Sequence, residues 1–162
     1  MKEIQLTKGQ VVIVDDEDYE RINQHKWYAL KVEGNKFYAA RDMWLGNNKK
    51  KTILMHRIIM NVPKDLQADH INGCALDNCR QNLRLATNQQ NNMNKIYPMK
   101  NNKLGIKGIH WDKKNKKFIV QVQYVFVGRF FCLEKAKSEH RKAELKYQGE
   151  FARKIFPEQI LN

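Results

Sequence analysis

No stretch of this chain limits the fold as tightly as residues 68–92, which read ADHINGCALDNCRQNLRLATNQQNN. An acid and an imidazole stand side by side, Asp69 and His70; Asn82 follows the histidine by twelve residues and Asn91 comes nine later. The Asn72-Gly73 step inside INGCALDN is a turn signal. NLRLAT places Leu83 and Leu85 at alternate positions, the period of a short strand. Thr87 or Asn88 then caps a helix running through Gln89 to about Ile96. The predicted order is strand, loop, strand, helix. It leaves a carboxylate and an imidazole at the end of the first strand, with an amide oxygen on the helix that folds back over them.

This pattern resembles the HNH endonucleases, whose site is a ββα fold around one divalent metal. The resemblance implies roles residue by residue. His70 is the general base, Asp69 and Asn91 are metal ligands, and Asn82 is the middle asparagine that holds the loop and orients the histidine. His56 and Arg57, in MHRIIMNVPK, match the His-Arg that precedes the site in the phage-type subgroup, and are supporting residues, His56 as a structural support or as a phosphate contact. Each residue taken singly has a plainer reading: Asp69 as a turn cap, His70 as a satisfied half-buried histidine, the asparagines as loop punctuation. The constellation at this spacing favours a metal-nuclease site.

The chemistry suits that reading. Cleaving a phosphodiester needs an activated water and stabilised charge on the phosphate and the leaving oxygen. A neutral imidazole titrates near operating pH and takes the water's proton. A hard cation prefers oxygen ligands and keeps positions open for water and phosphate. One carboxylate plus one amide oxygen suits such a half-open site, so the expected cofactor is a divalent metal, Mg²⁺ first and Mn²⁺ second. Zinc is not expected, because a structural zinc site wants four Cys or His ligands.

The charge balance adds a partner. A net charge of +13 with pI near 9.7 implies a polyanion, nucleic acid before membrane. No apolar run approaches a bilayer span and MKEIQLTKGQ is no signal peptide, so the expected place is the cytoplasm of a bacterial host or phage-infected cell. Cys74, Cys79 and Cys132 form no CxxC pair and read as free thiols. Residues 1–52 hold ten Lys and Arg against eight Asp and Glu, whereas residues 100–162 hold fifteen against six. The C-terminal third is the electrostatic anchor.

In chain order, residues 1–52 predict a small β-rich module. EIQLT and QVVIV are strand-like, and DDEDYERINQH is a short helix with Asp15 or Asp16 as its cap and acids in the first turn. The four acids at 15–18 read as capping and a solvated face. WYALKV and KFYAARDM predict a hairpin about Glu33-Gly34-Asn35, with Trp27, Tyr28, Phe37 and Tyr38 as packing residues. Residues 47–51, NNKKK, read as an exposed basic loop within reach of DNA phosphates. TILMHRIIMNVP gives a strand into a short helix ended by Pro63, with Ile58, Ile59 and Met60 beneath the site.

Residues 97–104 read as a basic linker. Beyond it, residues 105–157 predict three strands (IKGIHWD, KKFIVQVQY, VGRFFCL) and a helix from about Glu134 to Gln148. Residues 112–115 and 125–128 supply the turns. Ala136, His140, Ala143 and Tyr147 form a buried stripe, and Gly149 ends the helix. KGIHW, KKFIVQV, GRFFCL and the terminal YQGEFA resemble the plant-type APETALA/ethylene-response DNA-binding domain, which also occurs attached to phage HNH nucleases. The resemblance implies a three-stranded sheet lying in the major groove. Its DNA-facing positions are Lys107, His110, Trp111, Lys113, Lys117, Gln121, Gln123 and Arg129. The chain departs from that family in having Phe118 where tryptophan is usual, and in a helix less rich in alanine.

The expected fold class is α+β: an N-terminal β-rich module (1–52), a central HNH ββα-metal core (53–96), a basic linker (97–104), and a C-terminal three-stranded antiparallel sheet plus helix (105–157). The expected function is a metal-dependent, homing-like HNH endonuclease of phage or mobile-element type. It would act as monomer or homodimer on double-stranded DNA and leave 5′-phosphate and 3′-hydroxyl ends. The alternative is a non-catalytic, sequence-specific DNA-binding regulator on a degenerate HNH scaffold. RNA fits the charge but not the sheet, since the A-form major groove is too narrow.

Overall fold

Alternating apolar residues and short acidic or asparagine-rich starts set the elements of the computed structural model, which describes residues 1–32, 36–94 and 101–152. These residues form four small antiparallel sheets and four α-helices, an α+β fold. The chain divides into two compact units, Met1–Asn91 and Asn92–Asn162.

In the first unit, β1 (Lys2–Gln5) pairs antiparallel with β2 (Val11–Val14), and alternation turns Ile4, Val12 and Val14 inward. α1 (Asp16–Asn23) begins with three acids in its first turn, where the helix dipole favours them. It buries Ile22, whose carbonyl accepts from the Trp27 indole N–H at 2.8 Å. β3 (Tyr28–Lys31), β4 (Phe37–Gly46) and β5 (Lys49–Leu54) form a sheet in that order. The turn expected at Glu33-Gly34-Asn35 lies outside the described residues. The expected basic loop at 47–51 is instead a hairpin. Asn47 and Asn48, both at positive φ, make its turn, and the lysines belong to β5.

α2 (Met55–Ile59) follows β5 directly and stops before Pro63. Ile59 is buried, with Ile58 and Met60 packed against the same cluster. β6 (Gln67–His70) pairs antiparallel with β7 (Leu83–Ala86), and α3 (Asn88–Asn94) follows. Thr87 caps α3 reciprocally: its hydroxyl accepts from Gln90 N–H at 3.2 Å, and its own N–H donates to the Gln90 amide oxygen at 2.8 Å. The expected end of this helix, at Ile96, lies outside the described residues. One apolar cluster runs from Ile4 through Trp27 and Met55 to Leu83, so the stretches 1–52 and 53–96 share a core.

In the second unit, β8 (Ile109–Asp112), β9 (Lys117–Val122) and β10 (Val125–Phe130) form a sheet in the order β10-β9-β8. α4 (Leu133–Gln148) packs on one face, around Ile109, Val120 and Ala136. Gly108 has φ +76°, and a Cβ there would meet His140 Nε2 at 2.2 Å, so only glycine admits the helix this close. Asp112 closes the β8–β9 turn by accepting from Lys114 and Asn115. The next turn is not 125–128 but Gln123-Tyr124, with Gln123 at φ +57°; Val125 to Gly128 lie in β10, around a bulge. Tyr147 is exposed and Gln148 is buried in its place, so the buried stripe keeps Ala136 and Ala143 but not its last predicted member. Within the predicted linker, residues 101–104 are fastened: the Asn102 side chain donates to the Ile106 and Ile109 carbonyls, and Leu104 packs on the core. Gly149 ends α4 at positive φ, and residues 153–157 lie outside the described residues.

Candidate functional site

The loop between β6 and β7 decides where His70 and its neighbours stand. Asn82 closes it from both ends. Its side-chain oxygen accepts from Asn72 N–H at 3.0 Å, its amide donates to the Asp77 carbonyl at 2.8 Å, and its carbonyl accepts from Ile71 N–H at 2.8 Å. The loop is also stitched to β2, with Ile13 N–H donating to Leu76 and Asn78 N–H to Ile13. Arg80 fixes the far end. Its backbone N–H donates to the Asp15 carboxylate, and its guanidinium grips buried Asp18 at 2.7 and 2.9 Å. Burial alone would push the Asp18 carboxyl up, but hydrogen bonds and charge from Arg80 and Arg21 outweigh it and hold the pKa below the usual value. The acidic helix start is therefore more than a solvated face: Asp15 and Asp18 clamp the site loop.

His70 is buried at the end of β6, where Tyr38 from β4 and His56 from α2 close around it. Ring centroids lie 4.9 Å from His56 and 6.0 Å from Tyr38. His70 Nε2 lies 2.9 Å from the side-chain oxygen of Asn78. With that oxygen facing it, Nε2 carries the proton and the lone pair sits on Nδ1. Burial lowers the His70 pKa, although the Asn78 hydrogen bond and the Asp69 and Asp77 charges pull it back. Burial drives His56 down to about 3, with repulsion from His70 and Arg57 adding to it. Both imidazoles are neutral near pH 7. Arg57 turns away, donating to the carbonyls of Leu66 and Pro63.

Asp69 lies opposite Arg84 in the β6–β7 register, and the guanidinium donates to its Oδ2 at 2.9 and 2.7 Å. Pleating turns Asp69 and Gln67 to one side of β6 and His70 to the other. Asn91 donates its amide N–H to the Gln67 side-chain oxygen, which places it over the side that carries Asp69. Asp69 and Asn91 thus offer one carboxylate and one amide oxygen on a common face, hard donors of the kind Mg²⁺ or Mn²⁺ accepts. Arg84 already engages Asp69 Oδ2, so a metal there would share that carboxylate with a guanidinium. Among the described residues no three of His, Cys, Asp and Glu are placed together to hold a metal ion. The Cys79 thiol is pushed up to about 12 by burial and by Asp77, which keeps it a thiol rather than a thiolate ligand.

In the second unit the sheet sorts the eight DNA-facing candidates. Cross-strand pairing sets His110 and Arg129 opposite Ile119, Gln121 opposite Phe126, and Lys117 opposite Asp112, all on the face away from α4. Trp111 pairs with Phe118, ring centroids 4.7 Å apart, on the helix side. Lys113 lies in the β8–β9 turn and Gln123 in the next turn, donating to Met93 Sδ. Lys107 Nζ donates to the Asn92 and Met93 carbonyls. Two cations on the open face sit over aromatic rings, Arg129 on Phe126 and Lys117 on Phe131.

The sequence gives no role in the site to four residues that it depends on. Asn78 rather than Asn82 touches the histidine, Tyr38 packs on it, Arg84 engages Asp69, and Asp18 holds Arg80. The alternation of NLRLAT could have shown Arg84 sharing a face with its opposite residue on β6, but only with the register known.

The chain is similar to two viral proteins. It is 33% identical over 102 residues, 63% of this chain and 51% of the relative, to the uncharacterized HNH endonuclease L560 of Acanthamoeba polyphaga mimivirus. It is 40% identical over 55 residues, 34% of this chain and 45% of the relative, to protein 3.8 of Escherichia phage T7. The chain spans about half the length of the curated relatives it matches. No family model and no solved structure matches it. Among the described residues no helix is long and apolar enough to cross a membrane.

Proposed function

We propose that this chain is a metal-dependent HNH-type endonuclease acting on duplex DNA. The observation that carries the reading is His70: a buried, neutral imidazole whose Nε2 is engaged by Asn78, so that Nδ1 holds the lone pair. The similarity to a viral protein named HNH endonuclease supports it. In this reading His70 Nδ1 takes the proton of the attacking water. Asn78 fixes the tautomer, and Asn82 keeps the loop closed so that the ring does not turn. Asp69 and Asn91 would hold the divalent ion, Mg²⁺ or Mn²⁺, which when bound supplies a positive charge against the phosphate and the departing 3′-oxygen. The open sheet face of the second unit, with His110, Lys117, Gln121 and Arg129, would bind the duplex, the cations on phosphates and Gln121 or Arg129 on base edges. The products would carry 5′-phosphate and 3′-hydroxyl ends.

The test is supercoiled plasmid with Mg²⁺ or Mn²⁺ at low salt. Wild type is expected to convert it to open circles or linear DNA, and His70→Ala to cut roughly 100- to 10,000-fold more slowly with its gel shift intact. Equal cutting by the variant would overturn the assignment. Two observations favour a second reading, a DNA-binding regulator on a retired site: Arg84 occupies the Asp69 carboxylate, and pleating turns Asp69 and His70 to opposite sides of β6. A gel shift by wild type with no cleavage in either metal selects that reading.

A further inference from the structure

The first unit's core leaves the far half of the β4–β5 ribbon unexplained. β3 pairs with β4 only between Phe37 and Ala40, so beyond Ala40 the strand has β5 as its neighbour. Ala39 and Ala40 are buried, yet every residue from 43 to 52 is exposed. A two-stranded ribbon with neither face covered is marginal in water, and a polar sequence is its ordinary composition. Here one strand carries Met43, Trp44 and Leu45, with Trp44 70% and Leu45 58% exposed, and the other carries Lys49, Lys50 and Lys51. Register sets Trp44 opposite Lys50 and Met43 opposite Lys51. The ribbon is nonetheless built to hold its shape. Asn47 and Asn48 at positive φ make a hairpin turn that matches the strand twist. At its base Asp42 accepts from Lys50, Thr52 and Tyr28. Lys49 and Lys51 have no acidic partner among the described residues.

We infer that this ribbon is a duplex-DNA arm in which Trp44 and Leu45 press as an apolar wedge into the base stack, while Lys49 and Lys51, which the register turns to the other face from Trp44, reach out to the phosphates along the groove rims. Apolar side chains beside cations on a projecting ribbon are how architectural proteins unstack and kink a duplex. The lysine row selects a polyanion over an apolar protein surface. The inference rests on duplex DNA being the partner, as proposed above, and adds where and how the DNA is gripped. Tyr38, which packs on His70, belongs to the same strand. Trp44 follows it by six residues, so the wedge stands about 20 Å along β4 from the candidate site, roughly six base pairs of duplex.

The experiment titrates the full chain with a mixed-sequence duplex at low salt and follows tryptophan emission beside binding. The share of emission that Trp44→Phe removes is expected to be quenched in the wild type on DNA binding. Trp44→Ala with Leu45→Ala is expected to weaken binding roughly tenfold with the salt dependence unchanged. Lys49→Ala with Lys51→Ala is expected to lower the log–log salt slope by about two. These side chains lie outside the core, and circular dichroism checks that the fold is kept. If wild type binds the duplex but Trp44 emission does not change, the wedge is overturned and the DNA reading stands. If wild type binds no duplex, both fall. If the double alanine variant dissociates a dimer in sedimentation while DNA binding is intact, the face is a self-contact and the wedge is overturned.

Discussion

The two units bury different things. Among the described residues, Asp18, His56, Asp69, His70, Asn78 and Asn82 are the buried polar side chains of the first unit, and Gln148 is that of the second. The second unit closes on Ile109, Val120 and Ala136 and leaves its polar groups on an open sheet face. Burying a charge costs free energy unless a partner offsets it, whereas a solvated face costs little. The first unit has therefore committed stability to holding a few groups still at low dielectric. The second has committed little, and leaves its polar side chains in solvent.

Asp18→Asn tests that comparison most severely. It removes a buried carboxylate that Arg80 and Arg21 share, and loosens the loop carrying Asn78 and Asn82. The expected cost is about 3–5 kcal/mol, read by urea unfolding. Segment-resolved hydrogen exchange should show faster opening across β2, β6 and β7, with the β8–β10 sheet unchanged. Equal loss of protection in both units would break the contrast.

Gly108→Ala is the converse, a packing lesion confined to the second unit. Alanine at φ +76° with its Cβ against His140 and the Gln121 carbonyl costs about 2–4 kcal/mol. Plasmid cutting without the sheet's grip would then lose affinity, with the rate at saturating DNA preserved. A fall in that rate would mean that the first unit depends on the second for its chemistry.

These lesions also show what the sequence could disclose. Strand, loop, strand and helix around Asp69 and His70 were legible because the apolar period and the Asn72-Gly73 turn are local. The Thr87 cap was legible for the same reason. Asn78 was hidden because nothing local distinguishes it from Asn82; a hydrogen bond to His70 and a backbone bond to Ile13 single it out. Asp18 looked like one of four interchangeable acids, since its partner Arg80 lies 62 residues away. The lysines at 49–51 read as a loop because charge density suggests exposure, and a ribbon arm is exposed too. Register against β4, set by two left-handed asparagines, makes them strand.

Acid unfolding gives a smaller, graded test. In the folded first unit burial keeps His56 and His70 neutral, whereas in the unfolded chain they protonate near pH 6.5. The unfolded state then binds more protons, so stability present above pH 6.5 is lost as pH falls. The slope is about 1.4 kcal/mol per pH unit for each histidine, and for His56 it continues to about pH 3. His140 in the second unit is also lowered by burial, with Glu144 pulling it back, so that unit should lose less. His56→Gln is expected to flatten the slope of the first unit, whatever it does to stability at pH 7. An unchanged slope would mean that His56 is protonated in the folded chain. The acid limb of cutting should likewise fall below the ordinary histidine pKa, because His70 stays an unprotonated base there.

The smallest effect belongs to the open face. Lys117 shares that face with Gln121 and Arg129, while Trp111, whose cross-strand partner is Phe118, lies on the helix side. Lys117→Ala is expected to weaken duplex binding evenly across sequences and to lower the log–log salt slope by about 0.9, one phosphate contact. Trp111→Phe, on the helix side, should leave that slope where it is and act through the packing of Phe118 instead. If the two variants change the salt slope alike, the sheet does not grip by one face. The division of labour between a unit that buries its polar groups and a unit that displays them would then have to be redrawn around the β4–β5 arm.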